Sequence, residues 1–127
     1  MVPVYQGTTM IKAAWLLGLL FVTGSAAADT IQFKFRSNAE YSVGLEFTSQ
    51  DRDHQWPGNG KAYKIDDYEV HTYKLSCQRG ETICYGAWLE GDSTRYWGVG
   101  MDNENHCSDC CYVCGGNSKI SLINLNE

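Results

Sequence analysis

Four of the six cysteines in this 127-residue chain form one block, Cys107-x2-Cys110-Cys111-x2-Cys114, and Cys77 and Cys84 lie upstream of it. No other feature constrains the fold as strongly. Thiols placed this way end as disulfides, as metal ligands or as a redox pair, and each outcome demands different geometry and different surroundings. In a reducing compartment the doubled C-x2-C spacing reads as a metal site. In an oxidising one the same residues read as disulfides.

The N-terminus points to the oxidising case. Residues 1–28 have the parts of a secretory signal: a sparse leader ending in Lys12, an apolar run over residues 13–24 and the small-residue site Ala26-Ala27-Ala28, which predicts cleavage after Ala28. Met10 offers a second start that gives a more compact signal and the same mature chain. The apolar run spans 12 residues, well short of the roughly 20 that a membrane-crossing helix needs. No second long apolar stretch follows, so the mature chain is expected to carry no transmembrane segment. The expected location is secreted or periplasmic.

Removing residues 1–28 takes away Lys12 alone among the charged residues. The 10 basic and 15 acidic residues become 9 and 15, a net charge of -6 on a 99-residue domain, residues 29–127. That balance argues against a nucleic-acid partner, which needs clustered Lys and Arg to displace counterions, whereas here the cations are spread along the chain. A domain of this size buries a core but benefits from covalent staples.

Period-two alternation dominates the mature chain. Ile31, Phe33 and Phe35 share one face of residues 30–37, and Tyr41, Val43, Leu45 and Phe47 share one face of residues 41–49. Both read as strands. Their short polar link predicts an antiparallel hairpin with both apolar rows on one core. Residues 50–60, rich in Pro57, Gly58 and Gly60, read as a loop around Trp56. Residues 68–77 are mixed, since Val70 is out of phase with Tyr73 and Leu75; this implies a bulge near His71 or partial cover on both faces. Strands follow at residues 82–89, 94–101 and 119–125, and Gly98 and Gly100 leave one strand face bare for a ring or a backbone to approach. The expected fold is all-β, an antiparallel sandwich or barrel of about seven short strands with disulfide staples.

For the cysteines, disulfides among Cys77, Cys84, Cys107, Cys110, Cys111 and Cys114 are the leading expectation. Neighbouring Cys110 and Cys111 are poor partners for each other. If Cys77 and Cys84 flank a four-residue turn, they sit on a diagonal of about 7 Å, too long for a bridge. They therefore close a wider loop with each other, or each reaches into the later block. The metal alternative places zinc on His106, Cys107, Cys110, Cys111 and Cys114. Adjacent strand residues point to opposite faces, so Cys110 and Cys111 share an ion only on a tight turn. The redox alternative uses Cys107-Ser-Asp-Cys110 and Cys111-Tyr-Val-Cys114 as C-x-x-C pairs. Their flanks, Glu104 and Asp109 among them, are acidic where an activated thiol needs cationic neighbours.

Other candidates are weaker. Asp51, Arg52, Asp53 and His54 hold acid/base groups on one loop but read as a solvated turn. Asp102, Asn103, Glu104, Asn105 and Asp109, with Glu90 and Asp92, offer oxygens for calcium at a spacing unlike the EF-hand loop. No catalytic residue is assigned and an enzyme is not favoured. Among the many aromatics, Trp56 and Trp97 beside Arg95 are expected to be exposed ligand-binding residues. The reading is a small binding protein for a protein or cell-envelope component, with no cofactor. Its alternatives are a thiol-disulfide redox protein and a zinc- or calcium-binding protein.

Overall fold

Alternation sets the first element. β1 (Ala28–Ser37) turns Ile31, Phe33, Phe35 and Ser37 inward and leaves Gln32 and Lys34 in solvent. This is seen in a computed structural model that describes residues 27–116 and 119–127. The predicted signal, apart from Ala27 and Ala28, lies outside the described residues.

Eight further strands follow: β2 (Val43–Ser49), β3 (Gln55–Trp56), β4 (Tyr63–Ile65), β5 (Val70–Gln78), β6 (Thr82–Leu89), β7 (Asp92–Gly98), β8 (Cys111–Val113) and β9 (Ile123–Leu125). They form two sheets. One has three strands in the order β5-β1-β9, with β9 parallel to β1. The other has six: β2 and β6 pair at its centre, β3 and β4 share the far edge of β2, and β7 and β8 share the far edge of β6. Phe33 and Phe35 from the first sheet meet Phe47 from the second at ring-centroid distances of 4.7 and 5.9 Å. Burying each of these rings stabilises the fold by roughly 2–3 kcal/mol before the entropy of ordering the chain is set against it. The all-β sandwich with disulfides is as expected.

The pairing of the first two strands is not. β1 and β2 face the same core but lie in opposite sheets, with β1 flanked by β5 and β9 and β2 by β3, β4 and β6. Alternation dictates which face is buried; it is silent on which strand lies alongside. The link between them crosses from one layer to the other. Ala39 is buried there, and its N–H is capped by Ser37 Oγ at 3.2 Å.

Three smaller expectations also change. The register of β1 with β5 is continuous from Ala28↔Gln78 to Arg36↔Val70, so there is no bulge at His71, and Val70 lies on the exposed outer face. Residues 50–60 contain the short strand β3, which pairs Trp56 with Phe47. The strand expected over residues 94–101 ends at Gly98, because Gly98 and Gly100 take φ of 64° and 69°, conformations that only glycine adopts freely. A Cβ on Gly98 would strike the carbonyl of Tyr85, so the predicted close approach is by backbone. The chain then folds back over the outer face of the six-stranded sheet through a 3₁₀ turn, Met101–Asn103. A Cβ on Gly86 would meet the carbonyl of Gly100 in this cover. Beneath it lie Cys84, Gly86 and Trp88 of β6 and Glu46 of β2.

Candidate functional site

The cysteines are the natural starting point, because the fold brings all six to one end. Cys77 bonds Cys114, Cys84 bonds Cys111, and Cys107 bonds Cys110. Cys77 is on β5 and Cys114 follows β8, so the first bridge ties the two sheets together across the core. Backbone bonds reinforce it: Cys114 N–H donates to the Glu81 carbonyl, and Gly80 N–H donates to the Cys114 carbonyl, each at 2.8 Å. Cys84 and Cys111 are direct partners in the β6–β8 register, so their bridge staples neighbouring strands. The third closes a short loop on the outer face.

Both upstream cysteines thus reach into the later block, one of the two outcomes the turn geometry allowed. Cys110 and Cys111 serve different partners, although Cys110 lies in the bend before β8 and the two sulfurs are 3.9 Å apart. Cys114 packs in the main core, while Cys84 and Cys110 pack with Val99 in a second cluster under the 99–110 cover. The predicted zinc set is therefore split. A compact sulfur group does exist: Cys84, Cys110 and Cys111 lie within 4.8 Å of one another. Each is in a disulfide, and a soft ion binds thiolates, so zinc requires prior reduction of both bonds.

The acidic candidates separate. The Asp102 N–H donates to Glu46 Oε1 at 2.6 Å, and Asn103 Oδ1 accepts from Gln50. Asp102 and Asn103 both adopt positive φ, which short polar side chains tolerate. Glu90 pairs with Lys64, and Asp92 accepts from Thr94. Among the described residues, the cysteine trio is the one group of three or more potential ligands within reach of a shared ion. Glu46 itself was not legible, because alternation places it outward and only the cover buries it; burial pushes its carboxyl up, against the Asp102 N–H bond that lowers it.

The loop carrying Asp51, Arg52, Asp53 and His54 is structural. Arg52 donates to both oxygens of buried Glu81, and Asp51 Oδ2 accepts from Thr82 N–H at 2.6 Å. Burial alone would push the Glu81 carboxyl up. Hydrogen bonds from Arg52, Gln78 N–H and Ser49 outweigh it and hold the group at about 2. His71 Nε2 donates to exposed Asp67 Oδ1 at 2.7 Å, a bond that lowers the Asp67 carboxyl.

The two tryptophans part company. Trp56 is 8 % exposed, belongs to the main core and donates from Nε1 to the Ser76 carbonyl at 3.0 Å, so it is not an exposed ligand contact. Pairing with Phe47 draws the ring inward, which loop composition alone does not reveal. Trp56→Phe is expected to cost about 1 kcal/mol, the worth of the lost hydrogen bond, in urea unfolding. Trp97 is half-buried and donates from Nε1 to the Asn126 carbonyl at 2.8 Å, while Arg95 pairs with Glu127 at 3.0 Å. With Leu89, Thr94 and Tyr96 these residues line a cleft of about 300 Å³ on the outer strand β7.

Fold and staples together define a small disulfide-rich β-sandwich protein. Among the described residues no helix is long and apolar enough to cross a membrane. Comparison with protein-family models, with curated proteins and with solved structures found no match.

Proposed function

We propose that this chain is a secreted or periplasmic binding protein for a protein or cell-envelope component, with Arg95 and Trp97 in its contact surface. The observation that carries the reading is the β7 cleft. A cation, a tryptophan and Tyr96, which is 43 % exposed, share one strand at the end of a sheet. Tryptophan, tyrosine and arginine are the side chains that dominate binding energy where proteins meet.

The test compares capture from an envelope fraction by the wild-type chain, by Arg95→Ala and by Trp97→Ala. Each substitution is expected to weaken capture by about tenfold, equivalent to about 1.4 kcal/mol. Trp56→Phe should leave it unchanged, being a core variant. Capture that is insensitive to Arg95 and Trp97 contradicts the reading.

One observation favours a second reading, thiol-disulfide exchange. Cys110 Sγ and Cys111 Sγ, from two different disulfides, are 3.9 Å apart, and Cys107 is half-buried rather than sealed. Bridges that survive a glutathione buffer would exclude it.

A further inference from the structure

Four sulfurs gather on the outer face of the six-stranded sheet. The Sγ atoms of Cys84, Cys110 and Cys111 lie within 4.8 Å of one another, and those of Cys110 and Cys111 are 3.9 Å apart. Cys107 joins them through its bond to Cys110. Four thiolates around a tetrahedral zinc ion, at Zn–S distances of about 2.3 Å, stand about 3.8 Å from one another. The separation of Cys110 from Cys111 already matches that spacing, and the two bonded pairs approach it once their bonds open. β6 supplies Cys84, β8 supplies Cys111, and the bend before β8 supplies Cys110.

A second observation lies beside the sulfurs. Thr48 is the direct cross-strand partner of Cys84, so the two side chains stand on the same face of the sheet. Its Oγ1 is buried, and among the described residues it has no hydrogen-bond partner. A disulfide sulfur accepts hydrogen bonds poorly, whereas a thiolate carries charge and accepts them well. The hydroxyl therefore has the position and the burial of a donor to a Cys84 thiolate, in the way that outer partners orient metal ligands elsewhere. Asp109 Oδ1 stands 3.4 Å from Cys107 Sγ, and Glu46 is buried under the same cover, so the surroundings are anionic and favour a cation.

We propose that Cys84, Cys107, Cys110 and Cys111 form a zinc site in the reduced chain, which the two disulfides close and a dithiol opens. Exchange begins at an accessible sulfur. Cys107 and Cys111 are half-buried, whereas Cys77 and Cys114 are 4 % and 1 % exposed. The two outer bridges are therefore reduced first, and Cys77–Cys114 goes on tying one sheet to the other. Each reduction breaks one S–S bond, converts one dithiol to its disulfide and leaves two thiols on the chain. Four Zn–S bonds then form as the four thiol protons leave to solvent. The ligand set differs from the block expected from the sequence, because Cys84 enters from β6 while Cys114 is withheld in the core. The disulfide-bonded chain binds no zinc, and the site is independent of the β7 cleft.

The probe is cobalt(II), which reports its ligands by colour and is displaced by zinc. The full mature chain is treated anaerobically with dithiothreitol until non-reducing peptide mapping shows Cys77–Cys114 as the remaining bridge, and the reductant is then removed. One cobalt ion per chain is expected to bind, with sulfur-to-metal charge-transfer absorption and the intense visible bands of tetrahedral coordination. The untreated chain should show neither. Thr48→Val keeps the shape of the side chain and should weaken cobalt binding by about tenfold. It should leave the urea stability of the disulfide-bonded chain undiminished, since the hydroxyl it removes is unpaired there. In the wild-type chain loaded with cadmium, metal couplings should reach the Cβ protons of Cys84, Cys107, Cys110 and Cys111. Absence of the charge-transfer band, couplings to Cys114 in place of Cys84, equal cobalt affinity in Thr48→Val, or loss of Cys77–Cys114 together with the outer bridges would overturn the proposal.

Discussion

Replacing Cys77 and Cys114 together with alanine is expected to lower the unfolding free energy by about 4 kcal/mol, the largest loss any single staple here should produce. The bridge spans 37 residues and joins one sheet to the other across the core. Cutting it releases the longest of the three closed loops, since Cys84–Cys111 spans 27 residues and Cys107–Cys110 spans 3. Loop-closure entropy rises with the logarithm of length, so the same double replacement at Cys84 and Cys111 should cost nearly as much and at Cys107 and Cys110 clearly less. For a domain of this size, 4 kcal/mol is a large fraction of total stability. Urea unfolding of the three double variants, with slopes compared, gives the ranking. Equal losses at all three bridges would show that strain or unfolded-state structure outweighs loop length.

The second large effect lies at Glu81. Its side chain is 1 % exposed and bonded by Arg52, whose own side chain is 34 % exposed. Glu81→Gln should cost about 2 kcal/mol at pH 7. This is below the 3–5 kcal/mol typical of breaking a fully buried pair, because water screens the Arg52 side. The pH dependence has a definite sign. The folded carboxyl titrates at about 2, below its ordinary 4.5. Its contribution is therefore complete above pH 4.5 and is lost as pH falls from there toward 2. Wild type should weaken steeply over that window, and Glu81→Gln should have a flatter acid limb. Glu46 acts in the opposite sense, since burial raises its carboxyl and protonation there favours the folded chain. Parallel acid limbs for wild type and Glu81→Gln would contradict this account.

Much of the architecture was legible from alternation, because a buried face leaves a two-residue period whichever strand lies alongside. The inward rows Ile31, Phe33, Phe35 and Val43, Leu45, Phe47 are as read, but Tyr41, expected at the head of the second row, lies before β2 and is 62 % exposed. Their sheet partners were not legible, since β1 pairs with β5 some forty positions along and such pairing leaves no local mark. That the neighbours Cys110 and Cys111 do not bond each other was legible from the strain such a bridge would carry. Which distant cysteine each would find depended on that same long-range pairing. Trp56 is buried against expectation: the breakers around it signal a loop, but the loop returns to β2 and delivers the ring to the core.

The central claim is that the cysteines are structural, paired as disulfides and not held as metal ligands. Non-reducing peptide mapping of the purified mature chain, with metal analysis on the same sample, tests it most directly. The account predicts three pairs, Cys77–Cys114, Cys84–Cys111 and Cys107–Cys110, with no free thiol and no bound zinc. Free thiols in the Cys107–Cys114 block together with stoichiometric zinc would contradict it.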